Sequence, residues 1–136
     1  MSGDSRKKEK RLERVLKVQI QKRQIEEWAL AQLKQKRFEI DQVDQAILES
    51  LDPKSDLHGL FVEAKVKSLR RNDVVRRENE ANLKEGETRL AEARRREKGV
   101  ERKVKRAGRD AAAEEDAAEL DGHIESFLAR LSNSLG

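Results

Sequence analysis

The sequence predicts an all-α protein, a long two-helix antiparallel coiled-coil hairpin, and three observations carry that expectation. Of its 136 residues 43% are charged, 35% are hydrophobic and only 3% are aromatic, too little large apolar material for a globular core of this length. Apolar residues recur at steps of three and four along two long segments, which is the spacing of one face of a helix. The only proline, Pro53, sits between those segments. Disorder is disfavoured: the 31 basic and 27 acidic residues nearly balance, whereas disordered chains are rich in Pro, Ser and Gly and carry a large net charge.

Residues 1–4 read as a frayed tail, with Asp4 or Ser5 placed to cap a helix. Residues 5–51 read as the first helix, with no Gly or Pro inside. Its apolar stripe is expected to be Leu12, Val15, Val18, Ile25, Ala29, Leu33, Ile40, Val43, Ile47 and Leu51. Lys22 and Lys36 interrupt it, and between Ile25 and Leu33 two successive steps of four form a stutter. Residues 52–59 read as the turn, since Pro53 disfavours helix at the residue before it. Asp52 and Asp56 are the candidate caps of the next helix, and Gly59 leaves its start open.

Residues 60–136 read as the second helix. Its seam is Leu83, Gly86, Leu90, Ala93, Glu97, Val100, Val104, Ala107 and Ala111, an unbroken alternation of three and four as at heptad a and d positions. Leu57, Phe61, Ala64 and Val75 extend the pattern loosely upstream. Downstream, Leu120, Ile124, Phe127, Leu131 and Leu135 form a last apolar stripe. Glycines weaken a helix by about 1 kcal/mol each relative to alanine, so bends or fraying are expected near Gly108 and Gly122. At 1.5 Å per residue the two helices measure about 70 Å and about 110 Å, so the C-terminal turns overhang.

Charge is segregated. From Lys84 to Arg109 there are eleven Lys/Arg and five Glu; from Asp110 to Glu125 there are seven acidic residues and no Lys or Arg. Residues 6–14 are also basic. A solvated flank with i,i+4 pairs accounts for single residues. Segregated blocks also suit a charged protein partner. Nucleic acid is disfavoured, because the basic block is diluted by glutamates and has no aromatic residues to stack on bases.

Catalysis, metals and cofactors are not expected. There is no cysteine. His58 and His123 stand far apart and in no metal-ligand spacing. No glycine-rich phosphate loop is present, and a thin seam encloses no pocket in which to tune a carboxylate. Without an apolar run of about 18–20 residues or a signal peptide, a cytoplasmic protein with no membrane insertion is expected. Phe61 and Phe127 are expected to pack in the seam, and Trp28, one residue off the stripe, to stand partly exposed as an anchor for a partner.

Lys10-Arg11-Leu12-Glu13-Arg14-Val15-Leu16-Lys17-Val18, followed by the Gln-rich stretch QKRQIEEWALAQLKQKR, resembles the opening of the FliJ and YscO family of stalk proteins from flagellar and type III secretion export apparatus. ENEANLKEGETRLAEARRREKGVERKVKRAGRD, with its acidic continuation, is similar to their second helix. The resemblance implies a long antiparallel hairpin that inserts the end carrying both termini into a hexameric export ATPase. It also implies contact with the cytoplasmic domain of the export gate, escort of export chaperones, and a peripheral place at the inner face of the membrane. It would put Leu12, Val15 and Leu16, with Ile124, Phe127 and Leu131 facing them, at the pore end. Arg94, Arg95, Arg96, Arg102, Lys103 and Arg106 would meet acidic partner surfaces. The alternative is a generic coiled-coil scaffold, or a basic coil that binds nucleic acid. The turn separates the two: a chain that reverses buries its own seam and is a monomeric hairpin, while a straight helix needs a second copy.

Overall fold

A computed structural model describes residues 2–52 and 61–135. Two helices make up nearly all of it: α1, Ser2–Ser50, and α2, Val62–Leu135. The helices pack on each other as an all-α hairpin, with no strand among the described residues. Helix α1 therefore starts at Ser2 and not at Ser5; nothing in SGDS forbids helix, and Asp4 in the first turn favours the positive end of the helix dipole. Its last turn closes with Leu51 N–H donating to the carbonyls of Ile47 and Leu48 and Asp52 N–H to that of Glu49. The expected turn features at Pro53, Asp56, Leu57, His58 and Gly59 lie outside the described residues. Helix α2 runs on through Gly108 and Gly122.

The chain divides into two compact units, Arg23–Ala93 and Met1–Lys22 with Arg94–Gly136. In the first, the less exposed residues of α1 include the row Arg23, Glu26, Leu30, Leu33, Arg37, Ile40, Asp44 and Ile47, with Leu51 just past its end, and Ala29 is half-buried beside it. Those of α2 include Lys65, Leu69, Asn72, Arg76, Asn79, Leu83, Gly86, Leu90 and Ala93. Both rows step by three and four without exception, as knobs into holes require. The pairing is antiparallel: Lys65 Nζ donates to the Ser50 carbonyl at 3.4 Å, Asn72 Nδ2 to Asp44 Oδ1 at 3.0 Å, Arg37 Nη1 meets Glu80 Oε1 at 2.7 Å, and Arg89 Nε meets Glu26 Oε2 at 3.3 Å. The Arg37 guanidinium is held more firmly protonated than usual by the hydrogen bond to Glu80, with Asp41 adding to it.

This corrects the stripe expected on α1. Val15, Val18, Ile25 and Val43 are exposed, and the stutter between Ile25 and Leu33 does not exist. The buried row holds Glu26, Arg37 and Asp44 where large apolar residues were sought. These polar side chains occupy the seam because α2 supplies charges and amides that satisfy them. The seam expected on α2 from Leu83 to Ala111 is observed at every position. Gly86 has a steric role: a Cβ there would stand 3.3 Å from Leu30 Cδ1 and 3.4 Å from Leu33 Cδ1, so the helices approach closely at this level.

Among the described residues Asn79 is the largest fully buried side chain, at 2% exposure. Its Nδ2 donates to the Leu33 carbonyl at 3.1 Å and its Oδ1 has no hydrogen-bond partner. Phe61 is not in the seam; it is 78% exposed, and Ala64 is exposed as well. Phe61 instead immediately precedes α2, its carbonyl accepting from Lys65 N–H at 2.9 Å, with a left-handed φ of 54°. A bulky L-residue there costs roughly 1–2 kcal/mol that asparagine largely avoids. Phe61→Asn is therefore expected to raise stability by about 1 kcal/mol in urea titrations followed by circular dichroism; a loss of stability would show that the phenyl ring makes a stabilising contact.

In the second unit the seam of α1 is Ser5, Glu9, Leu12, Leu16 and Gln19, and that of α2 is Glu97, Val100, Val104, Ala107, Ala111 and Glu114, all buried or half-buried. Small residues let the helices come together here: Ala111 is fully covered, and a Cβ on Gly108 would lie 3.4 Å from Glu9 Oε1.

Candidate protein-interaction surfaces

Arg6 ties the start of α1 to α2. Its Nε meets Glu115 Oε1 at 2.6 Å and its Nη2 meets Glu115 Oε2 at 2.8 Å, a two-pronged guanidinium–carboxylate fork, while Nη1 reaches Glu9 at 2.6 Å. The fork holds the Glu115 carboxyl below its ordinary range and Arg6 above its own. Because the folded pKa of Glu115 is lowered, the contact is fully present above the unfolded carboxylate pKa and is lost as pH falls through the folded value. Amide exchange over residues 5–10 is thus expected to speed up below about pH 4 beyond the intrinsic trend, with Glu115→Gln reproducing the effect at pH 7. Equal protection at both pH values would rule this role out.

Beyond Glu114 every described residue of α2 is exposed. Leu120, Ile124, Phe127 and Leu131, between 45% and 59% exposed, line one face of this overhang, and Leu128 widens it. Two expectations are corrected. Phe127 does not pack in a seam. Ile124, Phe127 and Leu131 do not face Leu12, Val15 and Leu16 either. The fork marks the register: α1 begins beside Glu115, and Glu9 lies against Gly108. Leu12 and Leu16 are half-buried in the seam, whereas Val15 stands outside it.

Helix α1 carries a second row beside its seam: Lys8, Arg11, Val15, Val18 and Lys22, all exposed and again stepping by three and four. Two valines are thus bracketed by three cations. The row was hidden in the sequence because its valines read as seam residues. On α2, Arg94, Arg95, Arg96, Arg102, Lys103 and Arg106 are all exposed. Residues 6–22 hold eight Lys/Arg and two Glu; residues 112–135 hold six Asp/Glu and one Arg. A cationic body and an anionic apolar overhang therefore occur in the same unit.

In the other unit Trp28 is 65% exposed, as expected of a residue off the seam. It borders an open groove of about 820 Å³ with Leu33, Lys36, Asn82, Glu85 and Arg89. Charges of both signs line this groove, so it carries no preference for a charged ligand.

No group of three or more His, Cys, Asp or Glu among the described residues is arranged to hold a metal ion. His123 lies 4.0 Å from Glu119 on the solvent side of the overhang. None of the described helices is long and apolar enough to cross a membrane. No protein-family model matches the chain, and no curated protein or solved structure matches it.

Proposed function

We propose that this chain is a non-catalytic helical stalk of a flagellar or type III protein export apparatus, acting in the cytoplasm at the inner face of the membrane. The observation that carries the reading is the end of the second unit, where α2 continues past the start of α1 and presents Leu120, Ile124, Phe127 and Leu131 to solvent next to a cationic body. A helix that leaves such a stripe uncovered suits insertion into a ring-shaped partner, and the resemblance of residues 10–18 and 78–110 to the FliJ and YscO stalks supports a hexameric export ATPase as that ring. In this reading the overhang and Val15 enter the pore. Arg95, Arg102, Lys103 and Arg106 steer approach to acidic surfaces of the ATPase or of the export gate. Trp28 offers a separate anchor, in the other unit, for a chaperone.

The test is the hydrolysis rate and assembly state of the cognate export ATPase with and without the chain. Faster hydrolysis with more hexamer is expected. Reversing charge at Arg102, Lys103 and Arg106 should weaken binding by at least about tenfold at low salt. A folded, helical chain that changes neither rate nor assembly would overturn the reading.

A further inference from the structure

The apolar overhang and the valine–cation row on α1 are complementary in chemistry and in spacing. On the overhang, Leu120, Ile124, Phe127 and Leu131 step by four, three and four, amid the carboxylates of Asp116, Glu119, Asp121 and Glu125 against the single Arg130. On α1, Val15 and Val18 step by three between Lys8, Arg11 and Lys22. An acidic helix with an apolar stripe seats on such a row with its carboxylates against the cations. A membrane surface is a poor occupant, because the carboxylates repel anionic headgroups and the overhang lacks the Lys/Arg-rich polar face of interfacial helices.

The two surfaces do not meet within one chain. Arg6 is forked to Glu115, and Glu9 lies against Gly108. Residues 8–22 of α1 therefore run back along the part of α2 that precedes the overhang, while residues 120–131 lead away in the opposite direction. A continuous α2 cannot return its own stripe to Val15. We infer that the occupant is a second copy of this chain: the overhang of each copy seats on the Val15–Val18 row of the other, giving a two-fold symmetric dimer with two equivalent contacts. Each hairpin still buries its own seam, so association is reversible. The dimer covers the surfaces that the export reading places in the pore, so it is a resting form that insertion would have to open; the inference stands without the export reading, and the purified chain alone tests it.

Sedimentation equilibrium of the full chain at about 0.1 mM is expected to show dimer at low salt, with the dissociation constant rising at least about tenfold in 0.5 M NaCl. Ile124→Glu with Phe127→Glu is expected to give a monomer with unchanged helical circular dichroism, because both side chains are exposed in the single chain. As the sequence has no cysteine, Val18→Cys and Ile124→Cys can be placed in separate copies. Oxidation of the mixture is expected to yield a disulfide-linked pair far faster than either variant alone. A chain that stays monomeric at low salt overturns the inference. So does a dimer that ignores both the double substitution and salt. A variant carrying both cysteines that closes a bond within one chain would show an α2 that folds back, and overturns it equally.

Discussion

Asp44→Ala is expected to destabilise the hairpin by about 2–3 kcal/mol and to lower the thermal midpoint by roughly 10 °C. Asp44 is 9% exposed in the seam. One oxygen accepts from Asn72 Nδ2 at 3.0 Å, and the other pairs with the Arg76 guanidinium. Removing the carboxylate leaves a half-buried guanidinium and a carboxamide without their acceptor, and the desolvation of both is then uncompensated. Arg76 keeps Asp41 at 3.3 Å and Asp73 at 3.6 Å, which holds the loss at the lower end for a broken buried pair. Asp41→Ala is the control. Asp41 is exposed and its ion pairs are screened by water, so its loss is expected to cost under about 1 kcal/mol. Urea titration of both variants by circular dichroism decides the matter; equal effects would mean that burial of Asp44 contributes nothing.

The opposite sign is expected about two turns further along the same seam. Asn79→Leu should stabilise the hairpin by about 1–2 kcal/mol. Asn79 makes one hydrogen bond, to a Leu33 carbonyl that already accepts from its own helix, and its buried Oδ1 is unsatisfied. Leucine removes the unsatisfied oxygen and adds apolar contact at a seam position. What it gives up is selectivity. An amide that finds its acceptor only at Leu33 penalises shifted pairings, and leucine does not. The variant is therefore expected to melt higher while populating additional oligomers in sedimentation velocity. A lower midpoint would show that the asparagine hydrogen bond outweighs its orphaned oxygen.

These two residues also show where the sequence was legible. On α2 the seam from Leu83 to Ala111 could be read directly, because its members are apolar or small and only Glu97 interrupts them. On α1 the same reading chose the wrong row in part. Hydropathy records which side chains favour burial, not which face a partner covers, and Val15, Val18, Ile25 and Val43 lie on faces that α2 does not reach. Glu26, Arg37 and Asp44 went unrecognised because what makes them tolerable in a seam lies 28–63 residues away in the chain.

By itself, then, the sequence determined the class of this protein. Too few large apolar residues for a globular core, helix-favouring composition and one proline at the break leave two long helices as the way to bury a thin seam. It also determined the charge segregation and the apolar character of residues 120–135. The tertiary structure alone decided the register. In one unit the Asp44–Arg76–Asn72 cluster and Asn79 against Leu33 hold the helices at one alignment; in the other, Glu9 against Gly108 and the Arg6–Glu115 fork mark it. That alignment, through contacts between residues distant in sequence, leaves the overhang of α2 and the Val15–Val18 row open to a partner.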